Sequence, residues 1–297
     1  MGRIMAKTNL KIKEKKNRSK ADLKVVDDRA IKTTSYSDIN LKDWKKYDHI
    51  KTDTLWEFPS RLKEGGHSNE YHGNYIPQIA QQVYERFTKK NDIVLDLFFG
   101  SGTSGIEAVN MKRRCIGVEL KEDLVEHVSE KFNSKQLVTD VNIICADSAS
   151  EEAKEKVRAR LDIMGAEKAQ LLILHPPYDD IIKFSDKKED LSNCATTEEF
   201  YDLFEKVAKN GYDLLEKGRF ACLIIGDKYA NSQHIPLGFE CMARMNKLGF
   251  ITKAIIIKDM QGNERAKGKT ANLWRYRALA GGFYIFKHEY VMIFQKI

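Results

Sequence analysis

From residue 50 onward the chain alternates short apolar runs with longer segments of helical periodicity. The runs at 93–98, 115–119, 142–146, 171–174, 220–225, 251–257 and 290–294 are bounded by turn residues and read as buried strands. Between them, residues 77–88, 104–111, 121–132, 151–161, 198–215 and 237–248 carry apolar positions at helical spacing. Pro77 suits a first helical position because its φ is already fixed, and Thr196-Thr197-Glu198-Glu199 offers hydroxyl caps followed by acids at the positive end of the helix dipole. Strands separated by helices of this length predict an α/β fold, with one mostly parallel, doubly wound sheet of seven strands and helices on both faces.

Composition narrows the class. The 297 residues are 42% hydrophobic, enough for a sizeable core, and seven strands fit one domain better than two. No apolar run approaches the roughly 18 residues of a membrane span, and the N-terminal lysines precede no apolar stretch, so a cytoplasmic protein is expected. Five scattered cysteines without a C-x-x-C pair indicate neither a disulfide framework nor a zinc site, and the histidine spacing offers no metal site. Residues 1–24 hold nine bases and two acids, the whole +7 excess of the chain. Residues 1–49 are therefore expected to be a basic, disordered extension, either following phosphates or simply solvated, and 50–297 the folded domain.

The first constellation with chemical content runs from Asp96 to Thr103, a strand entering a glycine turn and then a helix. Gly100 and Gly102 let the backbone approach a ligand, and the helix start offers unpaired N–H groups. Glu119, at the end of the next strand, can accept hydrogen bonds from ribose hydroxyls, and Asp147, after the third, from an adenine amino group. No G-x-x-x-x-G-K-[ST] phosphate-binding loop is present, which argues against an ATP site of that kind.

The second constellation is His175-Pro176-Pro177-Tyr178 at the end of a buried strand. The amine on a nucleobase is a poor nucleophile because its lone pair is delocalised into the ring. Two acceptors that take its N–H protons out of the ring plane free that pair. The His175 ring and the Pro176 carbonyl can be those acceptors, with Pro177 stiffening the turn and Tyr178 stacking on an extruded base.

With both constellations in place, the chain resembles the amino-group DNA methyltransferases that use S-adenosylmethionine, the adenine-N6 and cytosine-N4 superfamily. Asp96 through Thr103, including Phe98, matches its D-x-F-x-G-S-G-T element, Glu119 its second-strand acid, and His175 through Tyr178 its [D/N/S]-P-P-[Y/F/W] element. The segment 71–77, with His72 and Tyr75, is similar to the element that holds the methionine part of the cofactor, and 288–294 to the final strand. The resemblance covers roughly residue 56 to the C-terminus and implies a Rossmann-like fold with S-adenosylmethionine as cofactor.

Histidine in place of Asp, Asn or Ser at position 175 removes the usual hint of adenine or cytosine; family likeness leans to adenine N6. No large recognition domain fits between the two elements, so specificity falls to loops or to a companion subunit. The strongest loop candidate is 258–282, where Arg265, Lys267, Lys269 and Arg275 can neutralise phosphates and Trp274 can stack on bases. Lys183, in the stretch 179–193, is a second candidate for the DNA strand, and Asp227 is expected to line the target pocket. The partners implied are DNA, a companion restriction or recognition subunit and a second copy of the chain. The alternatives are N-methylation of RNA or of a protein glutamine, and a catalytically inactive cofactor- or DNA-binding subunit.

Overall fold

The computed structural model describes residues 34–67, 73–134, 140–260 and 271–297. Ten strands and seven α-helices are assigned among them. The strands are β1 (Leu55–Trp56), β2 (Ile93–Asp96), β3 (Arg114–Glu119), β4 (Val141–Cys145), β5 (Ala169–Leu174), β6 (Leu215–Ile225), β7 (Lys228–Ala230), β8 (Gln233–Ile235), β9 (Phe250–Asp259) and β10 (His288–Lys296). The helices are α1 (Pro77–Phe87), α2 (Thr103–Asn110), α3 (Glu122–Ser134), α4 (Glu151–Ile163), α5 (Thr197–Leu214), α6 (Leu237–Lys247) and α7 (Ala271–Gly281).

The main sheet has eight strands in the order β4-β3-β2-β5-β6-β10-β9-β1. All neighbouring pairs are parallel except those of β10, which runs antiparallel to β6 and β9. The seven expected strands are all present. The eighth, β1, pairs parallel with β9 over two residues and buries Trp56. Two residues cannot display an alternating pattern, so only the pairing partner identifies this edge strand. A separate hairpin, β7 with β8, turns through Asn231 and Ser232, both at positive φ, as a two-residue turn of matching twist requires.

Alternation along each central strand divides the core into two layers. Val94, Leu171, Ile173, Cys222, Ile224, Val291 and Ile293 face one way, against Ile79 and Val83 of α1, Ile106 of α2 and Val128 of α3. Leu95, Leu172, Leu174, Leu223, Ile225 and Met292 face the other, against Val157 of α4, Phe204 of α5 and Met245 of α6. Each fully buried side chain of this size contributes about 1.5–3 kcal/mol. Near-continuous apolar runs are what a strand covered on both faces needs, which is why these were readable.

Two expectations change. The boundary at residue 49/50 falls inside packed chain: the Tyr36 ring lies 4.8 Å from Phe220 and 6.3 Å from Phe87, and Asp38 accepts a hydrogen bond from the Lys90 amide at 2.7 Å. Polar composition hid these few anchoring contacts. The stretch 258–282 is not wholly a loop either, since Lys258 and Asp259 end β9 and residues 271–281 form α7. Helical propensity in Ala271-Asn272-Leu273-Trp274-Arg275 was masked by an apolar pattern without a single buried face. Residues 261–270 lie outside the described residues.

Candidate functional site

Chain order reverses between β2 and β5, the position at which open α/β sheets bind ligands beyond their strand carboxyl ends. A cavity of about 440 Å³ lies there. Tyr75, Phe98, Gly100, Thr103, Glu119 and Asp147 line it together with His175, Pro176, Pro177 and Tyr178. The two constellations, separated by some seventy residues of chain, therefore share one space.

The glycine turn is built from below. Asp96 is 1% exposed and accepts from the Phe98 amide at 2.9 Å and from the Ser104 hydroxyl. Ser104 also meets the Tyr75 hydroxyl at 2.6 Å, and its carbonyl accepts from Tyr84 at 3.1 Å. Burial pushes the Asp96 carboxyl up to about 6, although the bonds from Ser104 and Phe98 favour its ionised form. Asp96 and Gly102 do not line the cavity. Asp96 ties strand to helix beneath it, and Gly102, at φ 84°, begins α2 where an added Cβ would stand 3.0 Å from the Phe132 ring.

Glu119 closes the turn from the neighbouring strand. Its Oε2 accepts from the Gly100 amide at 2.9 Å and its Oε1 from the Lys121 amide at 3.0 Å. Burial raises its carboxyl above the ordinary range, opposed by these backbone donors. Asp147 accepts from the Ala149 amide at 2.9 Å, and burial raises it too. Both carboxylates are thereby fixed in direction, with lone pairs left over.

Around His175 the protein is densely charged. The imidazole stands edge-on to Tyr75 and Tyr178, with ring centroids 5.2 and 5.9 Å away. Neither ring nitrogen has a hydrogen-bond partner among the described residues. Burial holds this histidine down to about 4; Glu289 opposes the shift, and Lys258 and Arg61 reinforce it. The ring is neutral throughout the physiological range and can accept. Tyr178 donates its hydroxyl to Glu289 Oε2 at 2.8 Å, and its ring lies against Gly226, where a Cβ would come within 2.9 Å. Glu289 Oε1 pairs with Lys258 Nζ at 2.9 Å. Burial opposes the charge on Glu289, but Lys258, His175 and Tyr178 outweigh it and hold the carboxyl below its ordinary value.

Arg61, Lys258 and Glu289 also line the cavity, and sequence reasoning assigned them no role there. Lys258 and Glu289 are directly opposite in the β9–β10 register. Opposite charges interrupting two apolar strand patterns were the available signal, but the register that joins them is tertiary. Arg61 carried no signal: Nη1 donates to the Asn74 carbonyl at 3.0 Å, while Nε is buried without a partner.

Other candidates lie elsewhere. Asp227 does not line this cavity: its carboxylate accepts from Tyr290 Oη at 2.9 Å and from the Gly238 amide at 3.0 Å, and meets His234 Nε2 at 3.0 Å. The expectation that it lines the target pocket is corrected: a place just after a strand end does not fix which way a side chain turns. Lys183 is exposed and pairs with Asp186 at 2.8 Å, but Phe184 beside it does reach the cavity and covers Gly73. Trp274 and Arg275 lie on α7 and do not line the cavity, with the Arg277 guanidinium 5.3 Å from the Trp274 ring. His72, Arg265, Lys267 and Lys269 lie outside the described residues.

The cavity's dimensions suit a ligand of nucleoside size. Its fixed carboxylates at the strand ends, close backbone at Gly100 and unpartnered guanidinium edge fit S-adenosylmethionine. No helix among the described residues is long and apolar enough to cross a membrane.

A family model described as a DNA methylase matches residues 4–130 and 169–297. A probable type III restriction-modification enzyme HindVI Mod subunit from Haemophilus influenzae is 36% identical over 87 residues, which are 28% of this chain and 12% of that protein. The type II methyltransferase M2.LlaDCHI from Lactococcus lactis subsp. cremoris is 31% identical over 70 residues, covering 22% of this chain and 26% of its own length. The matched regions thus span about a quarter or less of these relatives. Among solved structures, TrmN from Thermus thermophilus matches with 15% identity and a TM-score of 0.48, over 76% of this chain and 50% of that one.

Proposed function

For a chain that belongs to the DNA methylase family, we propose transfer of a methyl group from S-adenosylmethionine to the exocyclic amino group of a DNA base, adenine N6 in preference to cytosine N4. The observation that carries this reading is that His175 and Tyr178 line one cavity with Glu119 and Asp147, where burial lowers the proton affinity of the imidazole and leaves it able to accept. When bound, the cofactor supplies an electrophilic methyl group.

The chain's own residues prepare the acceptor. An extruded base lies against the Tyr178 face, whose plane is set by Gly226 beneath it and by Glu289 at its hydroxyl. The neutral His175 ring and the Pro176 carbonyl accept the two N–H bonds of the target amine, so its lone pair turns toward the methyl carbon. Acceptors already in place require no reorganisation as positive charge develops on that nitrogen. The preference for adenine rests on family likeness alone.

DNA contact is assigned to the basic and aromatic stretch that includes α7, and to Lys183. A companion restriction or recognition subunit, or a second copy of the chain, supplies what these elements lack in sequence discrimination. Work on DNA would take place in the cytoplasm.

The test is tritiated methyl transfer to DNA, RNA and protein, followed by chromatography of the labelled nucleosides. Label in N6-methyladenine supports the full reading, whereas N4-methylcytosine reverses the base preference. Incorporation only into RNA or protein, or none from a chain that binds cofactor and DNA, would defeat it.

A further inference from the structure

We propose that the Nε–Nη2 edge of Arg61 is the seat of an oxyanion, the carboxylate on the amino-acid arm of the cofactor; this rests on the methyltransferase reading above. Lys258 and Arg61 both line the cavity, but their charges are met differently. Lys258 has a buried carboxylate partner, Glu289, at 2.9 Å. Arg61 has no carboxylate within ion-pair distance among the described residues. Its one hydrogen bond among the described residues is from Nη1 to the Asn74 carbonyl at 3.0 Å, and Nε is buried without a partner there.

A half-buried guanidinium without a counter-charge is costly, and burial lowers its proton affinity. Nη1 is committed to the backbone, so the side edge is left, and its two parallel N–H groups match a carboxylate in the usual two-pronged geometry. The placement agrees with the ligand. Asn74 is the residue before Tyr75, and its side-chain amide donates to Ser101 Oγ at 2.6 Å, joining Arg61's anchor to the glycine turn. A phosphate of the target nucleotide has the same oxyanion chemistry and is the competing occupant.

Calorimetry on the full-length protein separates them. The probes are S-adenosylhomocysteine, which carries the arm; 5′-methylthioadenosine, which lacks it; and an unmethylated DNA duplex. Arg61→Met is expected to weaken S-adenosylhomocysteine about 10- to 100-fold while leaving 5′-methylthioadenosine within about twofold. Arg61→Lys, which keeps the charge without the fork, should fall between and serves if the methionine variant does not fold. Equal weakening of both nucleosides, or of neither, overturns the assignment; weakened DNA binding alone gives the edge to a phosphate and overturns it as well. Wild-type protein that binds no S-adenosylhomocysteine removes this inference together with the methyltransferase reading. Arm-dependent binding without methyl transfer to DNA leaves the inference standing and removes only the choice of substrate.

Discussion

Lys258 and Glu289 face each other across β9 and β10 and join at 2.9 Å with both side chains nearly inaccessible, and the second oxygen of Glu289 takes the Tyr178 hydroxyl at 2.8 Å. The pair is a rigid support for the aromatic face rather than a surface ion pair. Removing one partner leaves a buried charge uncompensated, which costs about 3–5 kcal/mol, whereas replacing both by apolar groups of similar volume is far milder. Glu289→Ala should therefore lower stability by about that amount, and Lys258→Met with Glu289→Met should recover most of it without recovering methyl transfer, because Tyr178 stays untethered. Denaturant unfolding and single-turnover assays on the two variants check both halves.

His175 carries a pH prediction with a definite sign. An imidazole accepts only when uncharged, and burial holds this one down to about 4. Single-turnover transfer should show no acidic limb attributable to this group between pH 8 and about 5, and should fall as pH approaches 4. His175→Asn, which keeps a neutral acceptor, should retain part of the rate and lose that limb; His175→Ala should lose most of the rate while binding cofactor normally. A limb near 6.5 that disappears in His175→Asn would show a ring far more solvated than its surroundings imply, and near-normal rates in His175→Ala would leave the Pro176 carbonyl as the working acceptor.

Glu119 is expected to hold ligand and turn together. Its oxygens receive the Gly100 and Lys121 amides, so Glu119→Ala removes a ribose acceptor and loosens Gly100 at once. The loss should be about 1.5–3 kcal/mol of S-adenosylmethionine affinity, read by calorimetry. Glu119→Gln retains an acceptor oxygen and should lose less. A folded alanine variant with unchanged affinity would take Glu119 out of the site.

Asp96 should reveal itself in stability, not in ligand contact. Its folded carboxyl is raised to about 6 from an ordinary value near 4. The contribution is most favourable while the group is protonated and declines as pH rises from about 4 through about 6, by about 3 kcal/mol. Asp96→Asn keeps the size and removes the titration, so the wild-type minus variant difference in unfolding free energy should fall across that window. A flat difference between pH 4 and 7 would mean that Ser104 and the Phe98 amide hold the carboxyl at its usual value.

DNA binding should respond to salt through the basic stretch. Neutralising Arg265, Lys267 and Lys269 together should raise the DNA dissociation constant and flatten its salt dependence, each lost phosphate contact removing about 0.9 from the logarithmic slope. Cofactor affinity should not change, since Trp274 and Arg275 of the adjoining α7 stand off the cavity. An unaltered slope would return these residues to an ordinary solvated surface.

What the sequence by itself determined was periodic or contiguous. Strands with buried faces appear as apolar runs, and Asp96 to Thr103 and His175 to Tyr178 are unbroken chemical phrases at strand ends, so seven of the eight strands of the main sheet and the two halves of the cavity were legible. What only the tertiary structure decided depends on register and direction. Lys258 meets Glu289 because β10 runs antiparallel into that edge of the sheet, and shifting the register by one residue would have turned the pair to opposite faces. Asp227 follows β6 and Glu119 ends β3, yet one turns toward Tyr290 and His234 and the other lines the cavity. Arg61 comes from chain before α1 and lines the same cavity, hydrogen-bonded to the Asn74 carbonyl. Local pattern encodes which face of an element is apolar; it does not encode which polar side chains from distant elements will be brought into one low-dielectric space, and there the charge of each depends on the others.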